Sequence, residues 1–215
     1  MTFIEWEMVY AVDIYDKTWK VTSKFDLNPE VFSDEKVNTS LIHEYLLLQE
    51  ANARNVVAST KTRGEVSGSW RKLYKQKGTG NARVWDRNSP IRRHGWVAFG
   101  PTSEKVYEKA MTKKARKVAL NGLITIKVKE GIVSGLDIDT MKPSTKDAVA
   151  LLTKMGNENK KVLLVLDKKE DGIVKSFRNI EGLKYILVDY LNPRDLMNAD
   201  AVVFLKPALE FVNQN

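Results

Sequence analysis

Val162-Leu163-Leu164-Val165-Leu166, set between Lys160-Lys161 and Asp167, is a run of five aliphatic residues with no polar alternate. A continuous apolar strand of this type is buried on both faces, as in the middle of a parallel sheet. Working outward, Ile132 to Ile138 reads as a preceding strand. Ser144-Thr145-Lys146-Asp147 is a capping-box-like start for a helix through Ala148, Leu151, Leu152 and Met155 that ends at Gly156. On the other side come a short helix near Asp171 to Asn179, a strand Tyr185 to Val188, a helical turn opened by Asn192-Pro193, and a strand Ala201 to Leu205. Alternation of this kind implies right-handed crossovers. It predicts an α/β fold, a mainly parallel open sheet with helices on both faces.

Toward the N-terminus, Met8 to Tyr15 and Trp19 to Phe25, joined at Asp16-Lys17, alternate well enough for a short strand pair. Asn28-Pro29 has the form of a helix cap followed by a first-turn proline. Ser40 can cap a helix running to about Ala53, with Leu41, Tyr45, Leu48 and Asn52 along one stripe. Thr112 to Lys129 is helical in pattern, with Ala115, Val118, Ala119, Gly122, Ile126 and Lys129 at three- and four-residue steps. Its first turns carry Lys113, Lys114, Arg116 and Lys117. Cations there oppose the helix dipole, so a ligand rather than intrinsic stability accounts for them.

A chain of 215 residues makes one domain or two small ones, and 43% hydrophobic residues suffice for a sizeable core. The absence of cysteine excludes disulfide scaffolds, Cys-ligated zinc, iron–sulfur clusters and thiol catalysis. The first sixteen residues contain Glu5, Glu7, Asp13 and Asp16 but no Lys or Arg, the wrong sign for a targeting peptide. No aliphatic run approaches the length that spans a bilayer. The expectation is a soluble, unexported protein.

The net charge of +8 is unevenly spread. Residues 54–117 contain 17 Lys+Arg and 4 Asp+Glu, a local +13, whereas the other 151 residues sum to −5. Within that stretch, residues 54–101 hold six of the twelve glycines and three of the five tryptophans, but one leucine. With no period of 3.6 or 2 to hide an apolar face, the segment cannot form its own core. It is expected to be an extended RNA-binding loop inserted in a globular domain of residues 1–53 and 102–215, and to become ordered when a polyanion neutralises it. Arg54, Lys61, Arg63, Arg71, Lys72, Lys75, Lys77, Arg83, Arg87, Arg92 and Arg93 alternate there with Trp70, Tyr74, Trp85 and Trp96. Cations reach phosphates and flat rings stack on unpaired bases. The bland alternative is a solvated loop whose tryptophans pack back on the domain, which leaves so many cations beside aromatic rings without a purpose.

Gly78-Thr79-Gly80 lacks the spaced glycine, lysine and hydroxyl of a phosphate-binding loop and follows no strand, so it reads as a flexible turn. His43 lies in a helix beside Glu44, and His94 sits among arginines, where a stacking role suits it better than metal binding. Asp137, Asp139, Asp167 and Asp189 fall at or just after successive strand ends, where open α/β sheets place ligand-binding residues. Clustered, they could hold Mg²⁺ for a metal-dependent nuclease or phosphotransferase, with the basic loop as substrate guide. Against that, polar residues end strands in every such fold, and no nucleophile or general base completes a catalytic set.

Ser59-Thr60-Lys61-Thr62-Arg63-Gly64-Glu65-Val66-Ser67-Gly68 and Lys75-Gln76-Lys77-Gly78-Thr79-Gly80-Asn81-Ala82-Arg83 closely resemble the bacterial-type large-subunit ribosomal protein four family. Ser89-Pro90 and Val97-Ala98-Phe99-Gly100-Pro101 continue the match. The basic helix at Lys113 to Leu120 and the strand–helix pattern behind it extend the similarity over most of the chain from about Leu41. The resemblance implies a non-catalytic protein of the large ribosomal subunit in the cytoplasm, without cofactor or metal. A globular α/β domain would sit on the subunit's outside, with a long extension threaded into the large ribosomal RNA. By position, Lys75, Lys77 and Asn81 would lie nearest the nascent-peptide exit tunnel, while Lys61, Arg63, Arg71, Lys72 and Arg83 grip RNA along the way. Implied partners are large-subunit RNA, neighbouring ribosomal proteins, the nascent peptide and, as for some members, the protein's own messenger RNA. The chain departs from the family at Leu73 for a usual proline, Asn81 for a commoner arginine, Val84-Trp85-Asp86 for small residues, and His94-Gly95-Trp96 for a run of glycines. Two added rings there imply locally different RNA packing.

Overall fold

The computed structural model describes residues 10–16, 20–138, 142–156 and 160–214. The chain divides into two compact units, Met1–Gln49 with Ala110–Asn215, and Glu50–Lys109. The first unit carries a six-stranded sheet of order β2-β1-β3-β6-β4-β5. The strands are β1 (Ala11–Tyr15), β2 (Val21–Asp26), β3 (Val133–Leu136), β4 (Val162–Leu166), β5 (Leu183–Leu187) and β6 (Ala201–Leu205). β1 and β2 are antiparallel, with Asp13 opposite Lys24 in register and their side chains 3.8 Å apart. The other four strand pairs are parallel, so the fold is α/β with a mainly parallel sheet.

β4 and β6 are buried at every residue, which is why neither alternates with polar residues. Leu164 pairs with Val203 on one side and Tyr185 on the other. The last strand in sequence, β6, thus fills the place between β3 and β4. The core adds Leu123 and Ile124 of α2 (Lys113–Lys129), Leu151 and Leu152 of α3 (Thr145–Lys154), and Ile173 and Phe177 of α4 (Asp171–Phe177). Leu196 of α5 (Pro193–Asn198) and Leu209 of α6 (Lys206–Gln214) complete it.

Capping chemistry sets several helix starts. Ser144 Oγ accepts the Asp147 N–H at 3.3 Å, and Asn192 Oδ1 accepts the Asp195 N–H at 3.0 Å, each satisfying a first-turn donor. Gly156 follows α3 with φ +67°, the left-handed C-terminal position that glycine occupies without penalty.

Four sequence expectations change. Asn28 opens no helix: its side chain accepts the Glu30 N–H at 2.9 Å and its own N–H donates to Asn213, so the residue satisfies a turn. The α1 helix (Thr39–Ala53) starts one residue before Ser40, because Asn38 Oδ1 caps it through the Leu41 N–H at 3.1 Å. Of the stripe expected on α2, Ala119 and Gly122 are buried but Val118 is exposed, and Leu123 and Ile124 carry the apolar contact instead. α6 is a helix beyond the expected elements, with Pro207 in its first turn and Ala208 and Leu209 buried. Met8, Lys17, Trp19 and Asp139 lie outside the described residues.

Candidate nucleic-acid interface

From Arg54 to Thr112 the chain forms no helix or strand, and no apolar side chain of that stretch belongs to the buried core. Glycine, scattered charge and the near absence of leucine leave nothing to stack into a layer. The segment is held by backbone hydrogen bonds between its outgoing and returning legs. Thr60 N–H donates to Pro101 O at 3.0 Å, Val97 N–H to Lys61 O at 3.1 Å and Leu73 N–H to Trp85 O at 2.8 Å, and within the returning leg Trp96 N–H donates to Asn88 O at 2.9 Å. At the ends of this unit, the Asn52 amide bonds both ways with the Lys109 backbone, accepting its N–H at 2.8 Å and donating to its carbonyl at 3.1 Å.

Close backbone approach dictates two of the glycines. A Cβ on Gly95 would overlap the Ser89 carbonyl, and one on Gly68 would overlap the Asn88 amide. At the far turn, Tyr74 OH donates to Ala82 O, and Leu73 bonds Trp85 just behind it. These contacts close a tip of residues 75–81 that is exposed throughout. Gly78 and Gly80 have φ +82° and +70° there with open space around them, so backbone conformation alone selects glycine.

Most of the candidate contact residues face solvent: Lys61, Arg63, Trp70, Arg71, Lys75, Lys77, Asn81, Arg83, Trp85, Arg87, Arg93, Lys113, Lys114, Arg116 and Lys117 are exposed. Lys72, Tyr74, Arg92 and Trp96 are half-buried. Arg71, Lys72, Lys75, Arg87 and His94 line one concave patch with Gly68 and Asn88. Arg63 lies 5.3 Å from the Trp70 ring centre and Lys72 lies 4.9 Å from that of Trp85, so each indole carries a cation on one face.

Among the described residues, no Lys or Arg of the 54–117 stretch forms an ion pair; all six ion pairs join residues outside it. The acids nearby do not neutralise the cations. The Glu65 carboxylate is held below its ordinary range chiefly by the Thr62 N–H at 2.8 Å, then by the Thr62 hydroxyl, and only last by Lys61. Asp86 is 5% exposed with neither oxygen hydrogen-bonded within the described residues, and the buried Nδ2 of Asn88 is also unpartnered. These two groups were not legible as buried in the sequence, because nothing local distinguishes them from solvated polar residues.

The strand-end aspartates are not brought together. β6 lies between β3 and β4, so Asp137 and Asp167 end strands about 10 Å apart, and Asp189 follows the strand beyond. Asp137 instead faces Lys206 at 3.3 Å. Among the described residues, no three His, Asp or Glu side chains are placed to hold a metal. His43 is exposed on α1. No helix is long and apolar enough to cross a membrane among the described residues.

The family model described as ribosomal protein L4/L1 family matches residues 25–215. A large ribosomal subunit protein uL4 of Halothermothrix orenii is 41% identical over 203 residues, covering 93% of this chain and 95% of the relative. Proteins of the same description from Thermosipho africanus and Dehalococcoides mccartyi are 39% and 34% identical, each over 94% of this chain.

Proposed function

The chain belongs to the ribosomal protein L4/L1 family, and on that premise we propose that it is a structural, non-catalytic protein of the large ribosomal subunit that binds the subunit's RNA through residues 54–101 and the start of α2. The observation that carries this reading is the run of cations between Arg54 and Lys117 that no acid among the described residues pairs, while the ion pairs of the described residues lie elsewhere. Unpaired charge at this density repels itself in the free protein. Phosphates relieve that repulsion and release their condensed counterions.

In this reading the α/β unit, Met1–Gln49 with Ala110–Asn215, anchors the protein against RNA and neighbouring proteins of the subunit. The extension threads the RNA, and ordering it costs chain entropy that counterion release and stacking offset. Lys75, Lys77 and Asn81, on the exposed tip, would meet the nascent peptide at the exit-tunnel wall. The protein's own messenger RNA is a second polyanion that the same cations would accept.

Sedimentation tests the reading. The full chain should travel with large ribosomal subunits and leave them only at high salt, and a variant lacking residues 60–100 should lose that association while its α/β unit still folds. RNA affinity that is flat between low and moderate salt would refute it.

A further inference from the structure

One aromatic ring of the basic unit has no use inside the chain. Lys61 O accepts the Val97 N–H at 3.1 Å, and Pro101 O accepts both the Thr60 N–H at 3.0 Å and the Thr60 hydroxyl at 3.3 Å. Between these bonds the first leg advances by a single residue, from 60 to 61, while the second runs from 97 to 101. Ala98, Phe99 and Gly100 are therefore looped out. Phe99 has φ +53°, a left-handed conformation that bulky L-residues rarely adopt. Beside it, a Cβ on Gly100 would overlap the Thr60 hydroxyl and crowd the Val97 side chain, so the close approach of the two legs here favours a residue without a side chain. The result is a fully exposed Phe99, at 106% relative residue exposure.

The other aromatic residues of Glu50–Lys109 are engaged differently. Trp70 and Trp85 each lie under a cation, Tyr107 has Arg54 at 4.3 Å and Lys105 at 5.2 Å, the Tyr74 hydroxyl is bonded to Ala82, and Trp96 is half-buried. Among the described residues, Phe99 has no such cation over its ring and, as a phenyl, no hydrogen bond to offer. A strained backbone that holds a bare ring in water persists where the surroundings over-determine it, and is a mark of functional positions. The unit's unpaired cations define the partner's chemistry as polyanionic. The flat apolar surface that a polyanion offers is a nucleobase.

We propose that Phe99 is a stacking anchor that takes an unpaired base of the bound RNA onto its ring, at the foot of the basic extension. The inference rests on the RNA-binding reading above and adds to it a contact that is aromatic rather than electrostatic. Stacking of this kind tolerates any base, since each has a π-face.

The test is a titration of the full chain with protein-free large-subunit ribosomal RNA over a range of salt concentrations. Phe99→Ala should weaken binding roughly ten-fold or more and leave the salt slope unchanged, because no phosphate contact is lost. Phe99→Trp should keep most of the affinity and Phe99→Leu should not restore it. Phe99→Gly relieves the left-handed backbone, so it should fold at least as well as the parent yet bind as weakly as Phe99→Ala. Parental affinity in both Phe99→Ala and Phe99→Gly, with the parent's steep salt dependence intact, overturns the stacking anchor and spares the RNA-binding reading. Leucine serving as well as tryptophan also overturns it, since the contact would then be an apolar one of the kind a protein partner makes. A parent that shows no salt-sensitive RNA binding brings down both.

Discussion

Replacing Arg71, Arg87 and Arg93 together by glutamine removes three exposed charges that no acid of the described chain pairs. If each neutralises one phosphate, the slope of log affinity against log salt should become shallower by about 2 to 2.7, from roughly 0.7 to 0.9 per contact. Over a fourfold change in salt, the ratio of parental to variant affinity should then change by a factor of roughly 16 to 40, being largest at low salt. Stability should stay within about 0.5 kcal/mol of the parent, as for surface residues without partners. The control is Lys184→Gln with Lys206→Gln, which removes two cations that are paired, with Asp195 at 2.5 Å and with Asp137 at 3.3 Å. It should cost about 0 to 1 kcal/mol for the solvent-accessible Lys206–Asp137 pair and somewhat more for Lys184, whose partner Asp195 is largely covered, and leave RNA binding alone. Binding followed by fluorescence anisotropy at several salt concentrations, beside thermal unfolding, separates the two sets. A triple variant that binds less tightly with an unchanged slope would refute the phosphate assignment, and so would a loss of stability large enough to explain the weaker binding.

Lys113→Glu and Lys114→Glu should act in opposite directions on two observables. An acid in the first turn of α2 should raise stability by about 0.3 to 1 kcal/mol each, while RNA affinity falls; a thermal melt beside a binding titration checks both. Phe204→Ala, which empties a site buried in β6, should cost about 3 to 5 kcal/mol, read from the denaturant midpoint. Acid stability should depend on Asp34, whose carboxyl is held below its ordinary range chiefly by Lys129 at 2.8 Å. A depressed folded-state pKa gives stability that is present above the unfolded-state value and is lost as pH falls through the folded one, so Asp34→Asn should flatten that limb of the stability–pH curve. The pair is solvent-exposed, so the change should be small and should shrink with added salt.

Much of the fold was readable in the sequence because its signals are local. The unbroken aliphatic run at Val162–Leu166, and the capping residues Ser144 and Asn192, each state their environment within a few positions. The same logic failed where a local signal had two satisfactory outcomes. Asn28 before proline can cap a helix or close a turn, and a hydrogen bond to Asn213, far along the chain, accompanies the turn. α6 gives no separate local signal, because β6 runs directly into Lys206 and Pro207 without an intervening loop.

The candidate site divides in the same way. The cations were legible, since charge is additive along the chain and the excess between Arg54 and Lys117 needs no fold to be counted. Phe99 was readable only as part of a motif. Its exposure arises from hydrogen bonds between residues about forty positions apart, which force three residues out of the paired legs.

The sequence by itself determined the α/β class, the basic segment without a core of its own, and the helices whose first turns carry their caps, because each follows from composition or from neighbours within one or two turns. Only the tertiary structure decided that β6 separates Asp137 from Asp167, that Lys206 meets Asp137, which indoles carry a cation, and that a bare phenyl ring stands on a strained loop. These depend on which distant segments meet, and that is set by the packing of the whole sheet and by cross-leg hydrogen bonds rather than by any residue's own preference.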